Sequence, residues 1–143
     1  MAHTSRRSFI QSSAAAAGAA AFAAPSVVLG VRGANDRVRV GMVGLGGRMR
    51  SHIGSLAGIA KSDNVEIAAI CDCDQSKLAT ASKSYPELEG LKLTTYTDQR
   101  KLFDDPSIDA VSFSTQDHWH ALQTIWACQA GKDVYVEKPP TWC

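Results

Sequence analysis

From Arg37 onward the chain alternates short apolar runs with longer segments of mixed polarity. The apolar runs occupy residues 38–44, 64–72, 91–97, 109–115 and 133–137. Their length and their β-branched or small residues are typical of buried strands. After the first run, Met49, Ile53, Leu56 and Ile59 follow at helical spacing. The pattern therefore predicts five strands that alternate with four helical segments.

Capping residues and chain breakers give boundaries for the later helices. The predicted segments are Asp74 to about Tyr85, Thr97 or Asp98 to Pro106, and Asp117 to Ala130, with Gly131 closing the last. Each crossover is long enough to return the next strand parallel to the previous one. We therefore expect a doubly wound parallel α/β sheet of the Rossmann-like type. Ligands bind such sheets at the carboxyl ends of the strands, where the strand order reverses.

Residues 1–36 have a different character. The segment Ser5-Arg6-Arg7-Ser8-Phe9-Ile10 resembles a twin-arginine box and precedes a mild, alanine-rich core from Ala14 to Ala24. A membrane anchor is the alternative, but a spanning helix needs about 20 strongly apolar residues. We predict a signal peptide over 1–23, cleavage after Ala23, a linker over 24–36, and export to the periplasm. The Rossmann domain then covers 37–143.

Charge and ligand spacing argue against two function classes. Before Ser51 there are seven basic residues and one acid, whereas from Ser51 onward eight basic residues face thirteen acids. Nucleic-acid binders concentrate Lys and Arg on the folded domain, so nucleic acid is not an expected partner. Two histidines separated by one residue, His118 and His120, seldom face one site, and no cysteine pair has zinc-ligand spacing. No metal site is predicted.

The first strand ends in a glycine-rich turn, Gly44-Leu45-Gly46-Gly47-Arg48. Gly44 suits a tight turn and Gly46 lets the backbone approach a pyrophosphate, so we assign Gly44, Gly46 and Arg48, with Gly47 between them, to a phosphate loop that binds the cofactor. The third position of the dinucleotide fingerprint, usually Gly or Ala, is Met49. Its long side chain is expected to push the helix outward or to force repacking. A structural turn without a ligand is the alternative.

Asp72 closes the second strand, 28 residues after Gly44. A carboxylate there can accept hydrogen bonds from the ribose hydroxyls of an adenosine and repels a 2′-phosphate. This favours NAD over NADP, although Lys77 keeps NADP open. The alternative is a solvated loop acid.

The ends of the fourth and fifth strands supply further candidates at the same edge. Thr115, Asp117 and His120 follow the fourth strand, and Glu137 and Lys138 close the fifth. We assign these residues to a nicotinamide edge. A lysine beside a cofactor cleft can donate to a substrate hydroxyl or carbonyl and stabilise charge as hydride moves, so Lys138 is the catalytic candidate. The alternative is a solvated lysine beside a Pro-Pro turn. His52 has no evident partner in the sequence.

Three blocks, "VRVGMVGLGGRMRSHI", "AAICDCD" and "DDPSIDAVSFSTQDHWHALQTIWACQAGKDVYVEKP", together resemble the N-terminal half of the Gfo/Idh/MocA oxidoreductases. That family is named for glucose-fructose oxidoreductase, inositol dehydrogenase and a rhizopine catabolism protein. The resemblance implies an NAD(P)-binding Rossmann domain followed by a larger α+β domain for substrate and oligomer contacts. It also implies that Lys138 lies beside the nicotinamide, with catalytic partners from the second domain. Members oxidise or reduce sugars, inositols and related polyols, and a related branch hydrolyses glycosidic bonds with transient use of NAD.

The sequence departs from this family at three places: Met49, Gln116 where a proline often stands, and the end of the chain soon after the Glu-Lys-Pro triplet. We expect an incomplete Rossmann domain, with the second domain and its oligomer interface absent. We expect such a chain to bind NAD and to be inactive alone. It is expected to bind a sugar or polyol only when a second domain is present. The alternatives are an NAD-dependent glycoside hydrolase, a non-catalytic nucleotide-binding or interaction module, and a degenerate fragment.

Overall fold

The computed structural model describes residues 37–140, and all five predicted strands are present within them. The strands are β1 (Val38–Val43), β2 (Val65–Cys71), β3 (Thr94–Tyr96), β4 (Ala110–Phe113) and β5 (Asp133–Val136). They form one sheet in the order β3-β2-β1-β4-β5, and every neighbouring pair is parallel. The chain moves outward from β1 to β3 and then crosses to β4 on the other side of β1. The doubly wound, Rossmann-like sheet is thereby confirmed.

Five α-helices and one 3₁₀ turn connect the strands. They are α1 (Met49–Ile59), α2 (Gln75–Ala79), α3 (Ala81–Ser84), the 3₁₀ turn Pro86–Leu88, α4 (Gln99–Phe103) and α5 (Asp117–Gln129). The cap predicted at Asp74 is confirmed, and of the two candidates Thr97 and Asp98 the second is the cap. Each carboxylate accepts the backbone N–H two residues later, at 2.9 and 3.0 Å.

Two helix predictions were wrong. The helix expected from Asp74 to Tyr85 is divided at Thr80, whose backbone leaves the helical region and whose hydroxyl donates to the Ser76 carbonyl at 2.8 Å. Asp117 does not cap α5: it is the first helical residue, and Gln116 holds the cap position without a side-chain hydrogen bond. An acid in the first turn still interacts favourably with the positive end of the helix.

The sheet buries an apolar layer on each face. The layer beneath α1 includes Val40, Met42, Met49, Ile53 and Ile70. The layer beneath α4 and α5 includes Val43, Leu102, Phe103, Phe113 and Ala127. Strand residues alternate between faces, so this division follows from the alternating side chains of β1 and β4.

One irregularity changes which β2 residues reach the α1 layer. Val40 pairs with Ile67 while Gly41 pairs with Ala69, so β2 carries one extra residue. A bulge of this kind shifts the alternation by one position. Ile67 and Ile70 therefore both join the α1 layer, although they are three residues apart.

Met49 is completely buried and belongs to this α1 layer. The long side chain at the third fingerprint position is thus accommodated in the core. Over residues 37–140, no helix has the length and apolar character needed to cross a membrane. The predicted signal peptide and linker lie outside the described residues.

Replacing Ile53 with Ala should lower the free energy of unfolding by about 2–5 kcal/mol, because the side chain is fully buried and leaves a cavity. Ile59→Ala on the same helix is the matched control, since Ile59 is 43% exposed and its loss should cost about 0.5 kcal/mol or less. Urea denaturation followed by far-UV circular dichroism measures both. Equal losses for the two variants would contradict the assignment of the core.

Candidate functional site

The carboxyl ends of β1, β2 and β4 surround a cavity of about 560 Å³. Its wall also includes Gln99, the first residue of α4, and Trp119 and Gln123 on α5. The sequence-predicted residues that line it are Gly44, Gly46, Gly47, Arg48, Asp72 and Thr115. These residues come from three separate stretches of the chain, and the strand order brings them together.

The glycine-rich loop has little room in one place and open space in another. Gly44 has a φ of +87°, and a Cβ there would lie 2.7 Å from the Thr115 Cγ2. A side chain is therefore excluded both by the backbone conformation and by contact with β4. A Cβ on Gly46 or Gly47 would meet nothing within 4 Å. The space beside these two glycines is open to a ligand.

The loop also presents hydrogen-bond donors at the start of α1. Within residues 37–140, the amide N–H groups of Gly47 and Arg48 have no acceptor. Unpaired amides at a helix N-terminus, together with the positive end of the helix dipole, favour an anionic group. The geometry of this loop fits a pyrophosphate.

Asp72 is buried and bonds to the loop. One carboxylate oxygen, Oδ2, accepts the Leu45 N–H at 2.7 Å, and the other, Oδ1, accepts the Asp74 N–H at 2.9 Å. The Lys77 ammonium lies 3.5 Å from Oδ2. Asp72 thus braces the glycine-rich loop while it lines the cavity. A carboxylate oxygen can accept more than one hydrogen bond, so the ribose contact remains compatible and stays a prediction.

A buried glutamine that the sequence pattern did not single out connects two walls of the cavity. The Thr115 hydroxyl donates to Gln123 Oε1 at 2.6 Å, and the Gln123 amide donates to Gln99 Oε1 at 2.5 Å. Gln123 is only 2% exposed. These bonds tie the end of β4 to the first residue of α4. A polar residue on the buried side of the predicted α5 helix was the available signal.

His120 and Asp117 do not line the cavity, whereas their neighbours Gln116 and Trp119 do. The His120 ring is 1% exposed, and its two nitrogens face the Pro139 carbonyl at 2.9 Å and the Thr115 carbonyl at 3.0 Å. The ring therefore joins the end of β4 to the segment after β5. The predicted cofactor contacts of these two residues stay predictions.

Glu137, which follows β5, connects the end of that strand to α1 and to the glycine-rich loop before it. Its Oε1 atom accepts from Arg48 Nε at 2.5 Å and lies 2.9 Å from His52 Nε2. The hydrogen bond from His52, followed by that from Arg48, lowers the pKa of Glu137 to about 2. His52, for which the sequence offered no partner, contacts residues 60 and 85 positions away. Separations of this length leave no local pattern.

Lys138, the residue after Glu137, is exposed, and its peptide bond to Pro139 is cis. Its ammonium makes no hydrogen bond or ion pair with the part of the chain that the structure describes. Nor do residues 37–140 contain a group of three His, Cys, Asp or Glu side chains able to hold a metal ion. The edge therefore combines a fixed carboxylate with an available ammonium.

Comparison with known proteins agrees with this geometry. Residues 38–142 match the family model of the Gfo/Idh/MocA oxidoreductases, described as an NAD-binding Rossmann fold. A glycosyl hydrolase family 109 protein of Shewanella pealeana is 37% identical over 82% of this chain and 26% of its own length. An inositol 2-dehydrogenase/D-chiro-inositol 3-dehydrogenase of Lactiplantibacillus plantarum is 34% identical over 53% of this chain and 21% of its own.

A solved structure has the same fold. The scyllo-inositol dehydrogenase of Lactobacillus casei, crystallised with NAD(H) and scyllo-inositol, superimposes with a TM-score of 0.63 at 27% identity. The match covers 76% of this chain and 30% of that enzyme. The chain thus spans between about a fifth and a third of the length of these relatives.

Because the pKa of Glu137 is lowered in the folded state, its carboxylate should contribute stability above its ordinary pKa of 4.5. That contribution is lost as the pH falls from 4.5 towards 2. The stability advantage of the wild-type chain over Glu137→Gln should therefore shrink across this range. Urea denaturation of both proteins at several pH values measures it. An advantage independent of pH would contradict the ion pair.

Adding a methyl group at Gly46 should weaken NAD binding without unfolding the domain, because the added Cβ enters open space beside the loop. We expect Gly46→Ala to raise the Kd for NAD at least about tenfold, or ~1.4 kcal/mol. Gly58→Ala, on α1 away from the cavity and equally unobstructed, should leave the Kd unchanged. Isothermal titration calorimetry measures the Kd for NAD of both variants. Equal Kd values for Gly46→Ala and Gly58→Ala would refute the assignment of the loop to cofactor binding.

Proposed function

Because the chain belongs to the Gfo/Idh/MocA oxidoreductase family, whose model spans residues 38–142, we propose that it forms the cofactor-binding part of a dehydrogenase. The proposed reaction is hydride transfer between the nicotinamide of NAD and a sugar, inositol or related polyol. One observation supports it above the others: the phosphate loop, Asp72 and the end of β4 line a single cavity at the switch point between β1 and β4.

Several residues of this chain would hold the cofactor. The free amides of Gly47 and Arg48 suit the pyrophosphate, and the Asp72 carboxylate suits ribose hydroxyls. Its negative charge disfavours a 2′-phosphate, which supports NAD, while Lys77 beside it partly offsets that charge. Bound NAD supplies the hydride acceptor or donor.

Lys138 is proposed to act on the substrate. An exposed ammonium without a partner among the described residues can donate a hydrogen bond to a substrate hydroxyl or carbonyl oxygen. A donor at that oxygen stabilises the negative charge that develops there as hydride leaves or arrives. Proton transfer to and from the oxygen needs further groups, which we place in a second domain.

Glycoside hydrolysis is the second candidate. The glycosyl hydrolase family 109 protein of Shewanella pealeana matches 82% of this chain, more than the 53% matched by the inositol dehydrogenase of Lactiplantibacillus plantarum. The two reactions differ in their products. Net dehydrogenation accumulates NADH, whereas hydrolysis with transient use of NAD releases sugar without net NADH.

The test uses the product of the gene's full reading frame, supplied with NAD and a panel of inositols and sugars, and separately with aryl glycosides. We expect sustained NADH formation with a polyol, and a fall in kcat of about 10²–10³-fold for Lys138→Met, which removes the hydrogen-bond donor at the charged oxygen. Aryl glycoside cleavage without net NADH would favour hydrolysis.

Residues 1–143 alone should bind NAD but give no sustained NADH, because the proposed proton-transfer groups lie elsewhere. Sustained NADH formation by this segment alone would refute the need for a second domain.

A further inference from the structure

His52 lies on α1, where this helix meets the ends of β4 and β5. It follows Arg48 by one helical turn, so both side chains project from the same face of α1 and reach one oxygen of Glu137. Its side chain is 6% exposed, and its ring packs edge-on against Tyr135 with centroids 5.2 Å apart. The position of the imidazole is therefore determined from several sides.

The hydrogen bonds also place a proton on one nitrogen of the ring. Nε2 faces the Glu137 carboxylate, which only accepts, so Nε2 carries the proton. Nδ1 lies 2.7 Å from the hydroxyl of Ser112, which is 4% exposed and can donate to an unprotonated nitrogen. Ser112 fixes the ring, and the ring fixes Glu137.

Glu137 passes this constraint to the next residue. Its second oxygen, Oε2, accepts the backbone N–H of Lys138 at 3.4 Å. A continuous path of polar contacts thus runs from α1, which begins at the phosphate loop, through His52 and Glu137 to the backbone of the catalytic candidate. Arg48 provides a parallel contact from the loop itself.

We propose that His52 is a positioning residue, which holds Glu137 against α1 and so couples occupancy of the cofactor loop to the backbone at Lys138. The inference rests on the proposed function, because it needs a ligand in the loop. It does not need turnover. Its test can therefore be made on the 143-residue chain without a substrate.

The probe is ADP, which carries the pyrophosphate and lacks both the nicotinamide and the ribose that bears it, so a change at Lys138 is not due to contact with either group. In amide ¹H–¹⁵N spectra we expect ADP to shift Gly46, Gly47 and Lys138 in the wild-type chain. His52→Leu should keep the glycine shifts and lose the Lys138 shift. His52→Gln, whose amide retains a donor for Glu137, should keep both.

His118→Leu is the matched control, because His118 is exposed on α5 and outside this path, and it should keep every shift. If the buried Leu substitution unfolds the chain, Glu137→Ala provides the same test and should lose the Lys138 shift. Long-range ¹H–¹⁵N spectra of the imidazole should show the Nε2–H tautomer.

A Lys138 shift that survives a folded His52→Leu variant would overturn the inference, as would one that survives Glu137→Ala where His52→Leu does not fold. A Lys138 shift that is absent in the wild type while the glycines shift would also overturn it. An Nδ1–H tautomer in the free chain would do the same. Absence of any glycine shift would overturn the proposed cofactor binding and the inference with it. Intact shifts with a failed dehydrogenase assay would overturn hydride transfer alone.

Discussion

The parallel alignment of β1 between β2 and β4 is the constraint on which the site depends. Parallel strands end at the same edge of a sheet, so the glycine-rich loop, Asp72 and Thr115 must emerge together. The reversal of strand order beside β1 separates the connections that leave β1 and β4, and a cleft remains between them. The Asp72 bond to Leu45 and the hydrogen bond from the Ser114 hydroxyl to the Gly44 carbonyl then fix the loop to both neighbours.

The sequence predicted the strands well because their signal is local. A short apolar run between turn residues has few alternatives, and all five such runs became strands. The helices were less predictable where two local preferences compete. Thr80 interrupts the expected Asp74–Tyr85 helix because its hydroxyl bonds to the backbone, and Gln116 takes the cap position expected for Asp117. Neither choice is visible in apolar spacing.

Several residues that line the cavity at the strand ends were predicted from the sequence, whereas the contacts among the residues of the site were not. Gly46 and Gly47 were predicted from the glycine-rich motif and Asp72 from its position at the end of a strand, and all three line the cavity. The partners of His52 were not, because Ser112 and Glu137 lie 60 and 85 residues away along the chain. The hydrogen bonds of Gln123 were not predicted either. A buried glutamine has many possible partners, and only the packed structure selects Thr115 and Gln99.

The three residues of the Glu-Lys-Pro triplet make different contacts. Glu137 accepts hydrogen bonds from His52 on α1 and from Arg48, the residue before that helix, and both bonds lower its pKa. Pro139 is held through its carbonyl by the buried ring of His120. Lys138, between them, has a constrained backbone and an ammonium without a partner among the described residues. Because the neighbours of Lys138 hold its backbone, only its side chain remains to be ordered when a ligand binds.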